Sequence, residues 1–412
     1  MLIVSTIRKY VISIIIVVII KTIKIPKKIK GFKSMNIGIL TLPLHTNYGG
    51  ILQAYALQTV LERMGHNVVV FDTPNKVFMP PLWKLPLSLI KRTLFKCLGK
   101  GNRIFIEHYY NRINPIICQN IQPFIDNNIK RKEIRKFTDL KSKDYDAIVV
   151  GSDQVWRAIY FPMWGKGQSI QNAFLSFTLD WNIKRISYAA SFGTDDWEYT
   201  EQQTEDCRKL LQSFAAVSVR ERAGVYLCQK YFHLKAIHVL DPTMLLSKDD
   251  YVSLYEKSKT PKSPGTLLNY VLDDTQELRF VVNKIAVLKQ LIPFSVNNPF
   301  ENDETKPLDS RVKQSVETWL RGFADADFVI TDSFHACVFS IIFKKQFLVV
   351  GNKGRGMSRF TSLLKMFGLE DRLVVEKTDL ENLAIIDYDA VYKKYDIFKQ
   401  TSLEFLKYNL NS

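Results

Sequence analysis

The sequence predicts an α/β fold of two Rossmann-like domains that face a cleft, and three observations carry that prediction. From Met35 onward, short β-branched runs alternate with longer amphipathic stretches, the pattern of a parallel sheet covered by helices. The series halts near Asp241-Pro242 and the polar stretch 257–265, and then begins again. The length of 412 residues, 46% of them apolar, supplies two cores rather than one. With 24% charged residues, 18 Gly and 15 Pro, and no internal repeat, the chain is not a collagen, a coiled coil, a solenoid or a low-complexity linker.

Taken in order, the first series predicts strands at 37–42, 68–72, 147–150, 185–189 and 216–219. Helices are expected at 51–64, which Gly65 stops, and at 201–212. Between them, residues 76–143 form an insertion of aromatics, Pro and Lys/Arg with weak helical periodicity and no strand alternation. The second series predicts strands at 266–272, 292–296, 328–331 and 347–350, and helices at 278–289 and 312–323. The expected organisation is thus an extension at 1–34, an N-terminal domain at 35–241 with the insertion inside it, a linking region at 242–265, and a C-terminal domain with C-terminal helices at 266–412. Ligands of such sheets sit at the carboxyl ends of the strands.

The formal net charge of +16 is unevenly distributed. Residues 1–34 carry eight basic and no acidic side chains, and residues 76–143 carry fifteen basic and four acidic ones, which leaves the remainder slightly acidic. A nucleic-acid-binding coat is therefore not expected. In the extension, the apolar run from Tyr10 to Ile20 is bounded by Lys9 and Lys21; its helical length of about 17 Å falls short of the roughly 30 Å hydrocarbon core. No small-residue cleavage site follows it. The expectation is that translation starts at Met35, the alternative being a peripheral membrane anchor. Cys97, Cys118, Cys207, Cys228 and Cys337 lack metal-ligand spacing and suit free thiols in a reducing cytoplasm. No HxH or HExxH motif occurs, and neither a metal nor a cofactor is expected.

Five strand ends carry polar residues suited to chemistry. Asn47-Tyr48-Gly49-Gly50 runs straight into a helix, where glycine lets an anion approach backbone N–H groups; it is either such a cradle or a tight connection. Gly151-Ser152-Asp153-Gln154-Val155-Trp156 points Asp153 and Gln154 at the cleft, unless Asp153 caps a helix. Arg220, in Ser218-Val219-Arg220-Glu221, either grips a ligand anion with its fork or makes a structural ion pair. His335, beside Asp332 and Ser333, is placed to transfer protons near neutral pH. Gly351 to Arg359 gathers glycines and cations into an anion cradle or an exposed basic loop.

In this order, these motifs resemble those of the polysaccharide pyruvyl transferase family. The resemblance runs from Met35 to about Leu373. It rests on Asn47-Tyr48-Gly49 with Gln53, Tyr55 and Leu57, the Gly151 to Trp156 run, Ser187-Tyr188-Ala189-Ala190-Ser191-Phe192-Gly193, Ser218 to Glu221, Asp241-Pro242-Thr243, Asp332 to His335, and Arg355 to Arg359. It implies a fold similar to GT-B glycosyltransferases and transfer of pyruvate from phosphoenolpyruvate onto sugar hydroxyls as a ketal, in making a cell-surface polysaccharide or exopolysaccharide. His335 would be the general acid/base, and Asp153 would orient the acceptor. Arg220, Arg355 and Arg359, with Asn47 and Gly49, would hold the donor. Gln154, Trp156 and the basic run Lys130, Arg131 and Lys132 would meet an oligosaccharide or lipid-linked glycan, with peripheral contact at the inner membrane surface. Ser333 stands where several characterised members have Arg, which removes one anion contact; Arg355 and Arg359 are the substitutes. Two other readings stay open: a nucleotide-sugar-dependent glycosyltransferase and a non-catalytic glycan-binding protein.

Overall fold

The computed structural model describes residues 33–411 apart from 75, 78, 81, 100–102, 165–167, 274, 302, 352–356 and 375–378. Residues 1–32 of the extension, including its apolar run, lie outside the described residues.

Chain order begins with β1 (Asn36–Leu40), α1 (Tyr48–Arg63), β2 (Asn67–Asp72), α2 (Leu85–Cys97), α3 (Ile106–Ile117), α4 (Gln122–Asn128), β3 (Arg131–Glu133), β4 (Ala147–Val150) and β5 (Lys184–Ala190). Next come α5 (Glu201–Leu211), β6 (Ala216–Val219), α6 (Arg222–Phe232), β7 (Ile237–His238), α7 (Lys248–Lys257), β8 (Leu267–Tyr270), α8 (Gln276–Lys289) and β9 (Pro293–Phe294). Then follow α9 (Val316–Asp325), β10 (Phe328–Thr331), α10 (Phe334–Ile342), β11 (Gln346–Val350), α11 (Met357–Phe367), β12 (Leu373–Val374) and α12 (Tyr388–Asn411).

The fold is α/β with two parallel sheets, of orders β3-β2-β1-β4-β5-β6-β7 and β12-β11-β10-β8-β9. The first has its reversal of strand order between β1 and β4, and the second between β8 and β10. Reversals of this kind are where doubly wound sheets generally bind their ligands. The central strands β1, β4 and β10 are buried almost throughout, which explains why they read as continuous apolar runs rather than alternating ones.

Helix starts differ from the expected ones by a few residues, because caps decide them. Asn47 accepts from the Gly50 N–H and starts α1 at Tyr48, while Ser315 accepts from the Thr318 N–H and delays α9 to Val316. The insertion departs further from expectation. It holds three helices and the edge strand β3, whose partner is β2, with Val70 opposite Arg131. A three-residue strand of Arg-Lys-Glu has no apolar alternation to reveal it.

Residues 242–265 include the helix α7, and Met244, Leu245, Leu246 and Tyr251 are buried there. The C-terminal α12 returns to the seven-stranded side: its Ser402 hydroxyl accepts from the Leu240 N–H at 3.0 Å, and the Tyr395 hydroxyl donates to the Met244 carbonyl at 2.6 Å. Residues 35–410 accordingly form one compact unit whose largest core cluster draws on both sheets. Among the described residues, no helix is long and apolar enough to cross a membrane. The five cysteines are free thiols.

Candidate active site

Backbone geometry delivers a set of charged side chains to one place. Asp153 follows β4, Arg220 and Glu221 follow β6, and Asp241 follows β7, all at carboxyl ends of the first sheet. His335 lies in the first turn of α10, just past β10 of the second. Each of these five side chains is buried.

Asp241 is the hub. Its Oδ1 accepts from the Thr243 N–H at 3.0 Å and the Thr243 hydroxyl at 2.7 Å. Its Oδ2 accepts from Arg220 Nη1 at 2.8 Å and from the Ser152 hydroxyl at 3.1 Å, and lies 3.7 Å from His335 Nε2. Burial alone would raise this carboxyl, but the neighbouring His335 ring and the Arg220 charge hold it well below the usual carboxylate range. Arg220 is raised despite its burial, because Asp241, Asp153 and Glu221 surround it. Its Nη2 is 3.4 Å from Asp153 Oδ1, its Nη1 is 3.4 Å from His335 Nε2, and its guanidinium stacks 4.3 Å over the Phe334 ring. Glu221 accepts from the Phe192 N–H at 2.9 Å, and burial pushes its carboxyl up.

Two helix N-termini meet at the histidine ring. Neither α1 nor α10 has an acidic residue in its first turn, so the backbone N–H groups there present a positive end, which at α1 is capped by Asn47 and lies near Asp153. Gly49 is required for their approach: a Cβ on it would stand 2.0 Å from His335 Nδ1. Gly49→Ala is helix-compatible in its backbone, yet it must displace the imidazole. The expected result is an unchanged far-UV circular dichroism spectrum with turnover lower by roughly 10²-fold. Turnover at the wild-type level would show that the ring position does not matter.

The motif Ser187 to Gly193 is the scaffold of this cluster. Ala189 sits in the left-handed region, at φ 53°, where the β5–β6 register shifts. Ser218 replaces the lost ladder contact, its hydroxyl accepting from the Ala189 N–H at 3.1 Å. On the second sheet, Asp332 joins the two sides of the switch point by accepting from the Leu272 and Asp273 N–H groups at 2.8 and 2.9 Å.

Asp153 and His335 each lie 3.4 Å from the Arg220 guanidinium, and Gly49 lies against the histidine ring. Asn47 is exposed and caps α1. Asp153 caps no helix; it has φ 63° and precedes a turn. Arg220, expected to grip a ligand anion, is already paired within the protein. Arg359 is buried 5.8 Å from the Phe334 ring, and burial beside Arg220 pulls it down to about 10. Arg355 lies outside the described residues.

One expectation needs correction. Trp156 cannot touch an acceptor: it is wholly buried, stacked on Phe174 at 4.9 Å and donating its Nε1–H to the Ala173 carbonyl. Lys130 pairs with Glu62, Arg131 with Asp72 and Asp126, and Lys132 with Asp144, and Lys130 remains largely exposed. Gln154 is half-buried, its Oε1 accepting from Arg157 at 3.3 Å. Conversely, Asp241 and Glu221 received no role from the sequence. The Asp-Pro-Thr motif was the available signal for Asp241.

The polysaccharide pyruvyl transferase family profile matches residues 47–354, well over half of the chain. The chain belongs to this family. It is accordingly a transferase, and the match contains Asp153, Arg220, Asp241 and His335. No curated protein sequence matches it.

Among solved structures similar to it, a glycosyltransferase from Rickettsia africae ESF-5 is 11% identical at a TM-score of 0.43, covering 90% of this chain and 94% of that one. The E. coli ADP-heptose lps heptosyltransferase II is 9% identical at 0.32, covering 89% and 98%. UDP-GlcNAc 2-epimerase from Neisseria meningitidis is 9% identical at 0.42, covering 89% and 93%. These are likenesses of architecture, and no chemistry below rests on them.

Proposed function

We propose that this transferase moves pyruvate from phosphoenolpyruvate onto two hydroxyls of a sugar as a ketal, in building a cell-surface polysaccharide or exopolysaccharide. The observation that carries this reading is the His335 imidazole, held between two helix N-termini and the Asp241–Arg220 pair. The reaction protonates the methylene carbon of the donor, forms two carbon–oxygen bonds to the acceptor and breaks one to phosphate. Of the two hydroxyl protons released, one balances the new methyl group and the other leaves with phosphate. His335 is the proton carrier of this scheme. Asp153, whose Oδ2 lies 3.5 Å from the position of a Cβ on Gly50, is the carboxylate assigned to the acceptor hydroxyl.

A trianionic donor needs positive potential, yet Arg220 and Arg359 are outnumbered by Asp153, Glu221 and Asp241 in the buried cluster. The first turns of α1 and α10 therefore supply the anion recognition, joined by Arg359. Arg220 becomes a positioning residue that fixes Asp241 and the histidine edge.

The test is incubation with phosphoenolpyruvate and a panel of oligosaccharides and lipid-linked glycans. The expected result is phosphate release that depends on one acceptor, with a matching gain of mass on the glycan. Absence of phosphate release, together with calorimetric binding of UDP- or GDP-sugars, would replace this reading by nucleotide-sugar glycosyl transfer.

A further inference from the structure

We propose that α2 is a docking helix that seats the protein on an anionic bilayer surface. The inference stands apart from the reaction proposed above and concerns a surface that takes no part in it.

The helix α2 has a mixed inward side and an apolar outward side. Leu85, Ser88, Leu89 and Arg92 are half-buried and turn inward. Arg92 fixes the helix there, donating from both Nη atoms to the Glu107 carboxylate of α3 at 2.7 Å each. On the opposite side, Trp83, Leu87, Ile90, Leu94 and Leu98 are 74%, 71%, 57%, 59% and 68% exposed. At 100° per residue Leu87, Ile90 and Leu94 fall within an arc of about 60°, with Trp83 and Leu98 just beyond the two helix ends. No residue of this thirteen-residue helix is buried. A contiguous apolar stripe of that size on a water-facing helix marks an interaction surface.

Charge identifies what covers it. From residue 73 to residue 106 the chain has no Asp or Glu and seven Lys or Arg. Lys84 and Lys91 border the stripe, with their Nζ atoms 4.4 Å and 5.7 Å from the Trp83 and Phe95 ring centres. Among the described residues, Lys84, Lys91 and Lys96 form no ion pair. A second copy of the chain would bring these lysines against one another, whereas acidic headgroups accept them while the leucines enter the acyl boundary. Tryptophan at the stripe's edge and lysines that snorkel from its flanks are the side chains suited to that depth. The helix lies on the surface and does not span it, since thirteen residues rise about 20 Å.

The test uses the full-length protein and co-sedimentation with phosphatidylcholine vesicles that contain or lack phosphatidylglycerol. The expected result is binding to the anionic vesicles that weakens with added salt. Leu87→Ser with Leu94→Ser should lower that binding at least about tenfold. Lys84→Gln and Lys91→Gln should each lower it about fivefold, on anionic vesicles alone. Trp83→Phe should remove quenching of tryptophan fluorescence by brominated acyl chains. These side chains are exposed, so melting temperatures should not move. Vesicle binding that survives Leu87→Ser with Leu94→Ser would assign it to another segment, such as residues 1–34, and overturn the proposal. So would a dimer in solution that the same double variant dissolves, or no vesicle binding at all. Failure of the phosphoenolpyruvate assay would leave each of these outcomes readable.

Discussion

Replacing His335 by alanine, and separately by glutamine, is expected to lower turnover by roughly 10²–10⁴-fold while the protein stays folded. The two variants separate proton transfer from shape. Glutamine keeps a polar group facing Arg220 Nη1 and Asp241 Oδ2, which lie 3.4 Å and 3.7 Å from His335 Nε2, but it carries no exchangeable charge at working pH. If the imidazole moves protons, both variants lose the same rate, and donor affinity measured by calorimetry changes far less than turnover. A glutamine variant with near-normal turnover would end the assignment and leave His335 a packing group beside Gly49. Loss of the cooperative melting transition in both variants would show a structural role in its place.

Arg220→Met is the second large effect, and it acts on stability as well as on rate. The methionine fills much of the same volume over Phe334 but leaves Asp241 without its 2.8 Å partner and Asp153 without its 3.4 Å one. Removing one member of a buried ion cluster costs about 3–5 kcal/mol, because the remaining charges stay desolvated. Chemical denaturation at neutral pH should report that loss. Its pH dependence follows from the direction of the Asp241 shift. A carboxyl held below its unfolded value of about 3.9 contributes stability that is present above that pH and lost as pH falls through the folded value. The deficit of Arg220→Met should therefore be largest near neutrality and shrink in acid, where a protonated Asp241 has no charge to leave unpaired. A deficit independent of pH would mean that the cluster contributes packing and not charge pairing.

Much of this site was legible before any coordinates. His335, Asp153 and Arg220 were each recognisable because a buried parallel strand that ends in a polar residue must present it at the carboxyl edge of the sheet. Asp241 was not recognisable as the hub, because nothing in Asp-Pro-Thr announces that Ser152, Arg220 and His335, 89, 21 and 94 positions away in the chain, converge on the same carboxylate. Trp156 misled for a related reason. It follows polar strand-end residues in sequence, yet the Phe174 face and the Ala173 carbonyl draw its ring inward. In the insertion, charge counting found the basic segment but not how its charges are paired. The run 130–132 is matched by acids from α1, β2, α4 and the turn before β4, whereas the less conspicuous lysines of α2 border an uncovered apolar stripe.

By itself the sequence determined the α/β class, the position of each major strand, the family, and which residues stand at strand ends. All of these follow from local periodicity and from motifs a few residues long, which backbone geometry converts into structure without reference to distant parts of the chain. Only the tertiary structure decided which charges are neutralised and which remain available. An ion pair depends on a few ångströms between residues that can be more than a hundred positions apart, such as Arg63 and Asp250, and burial then sets how strongly each pair holds.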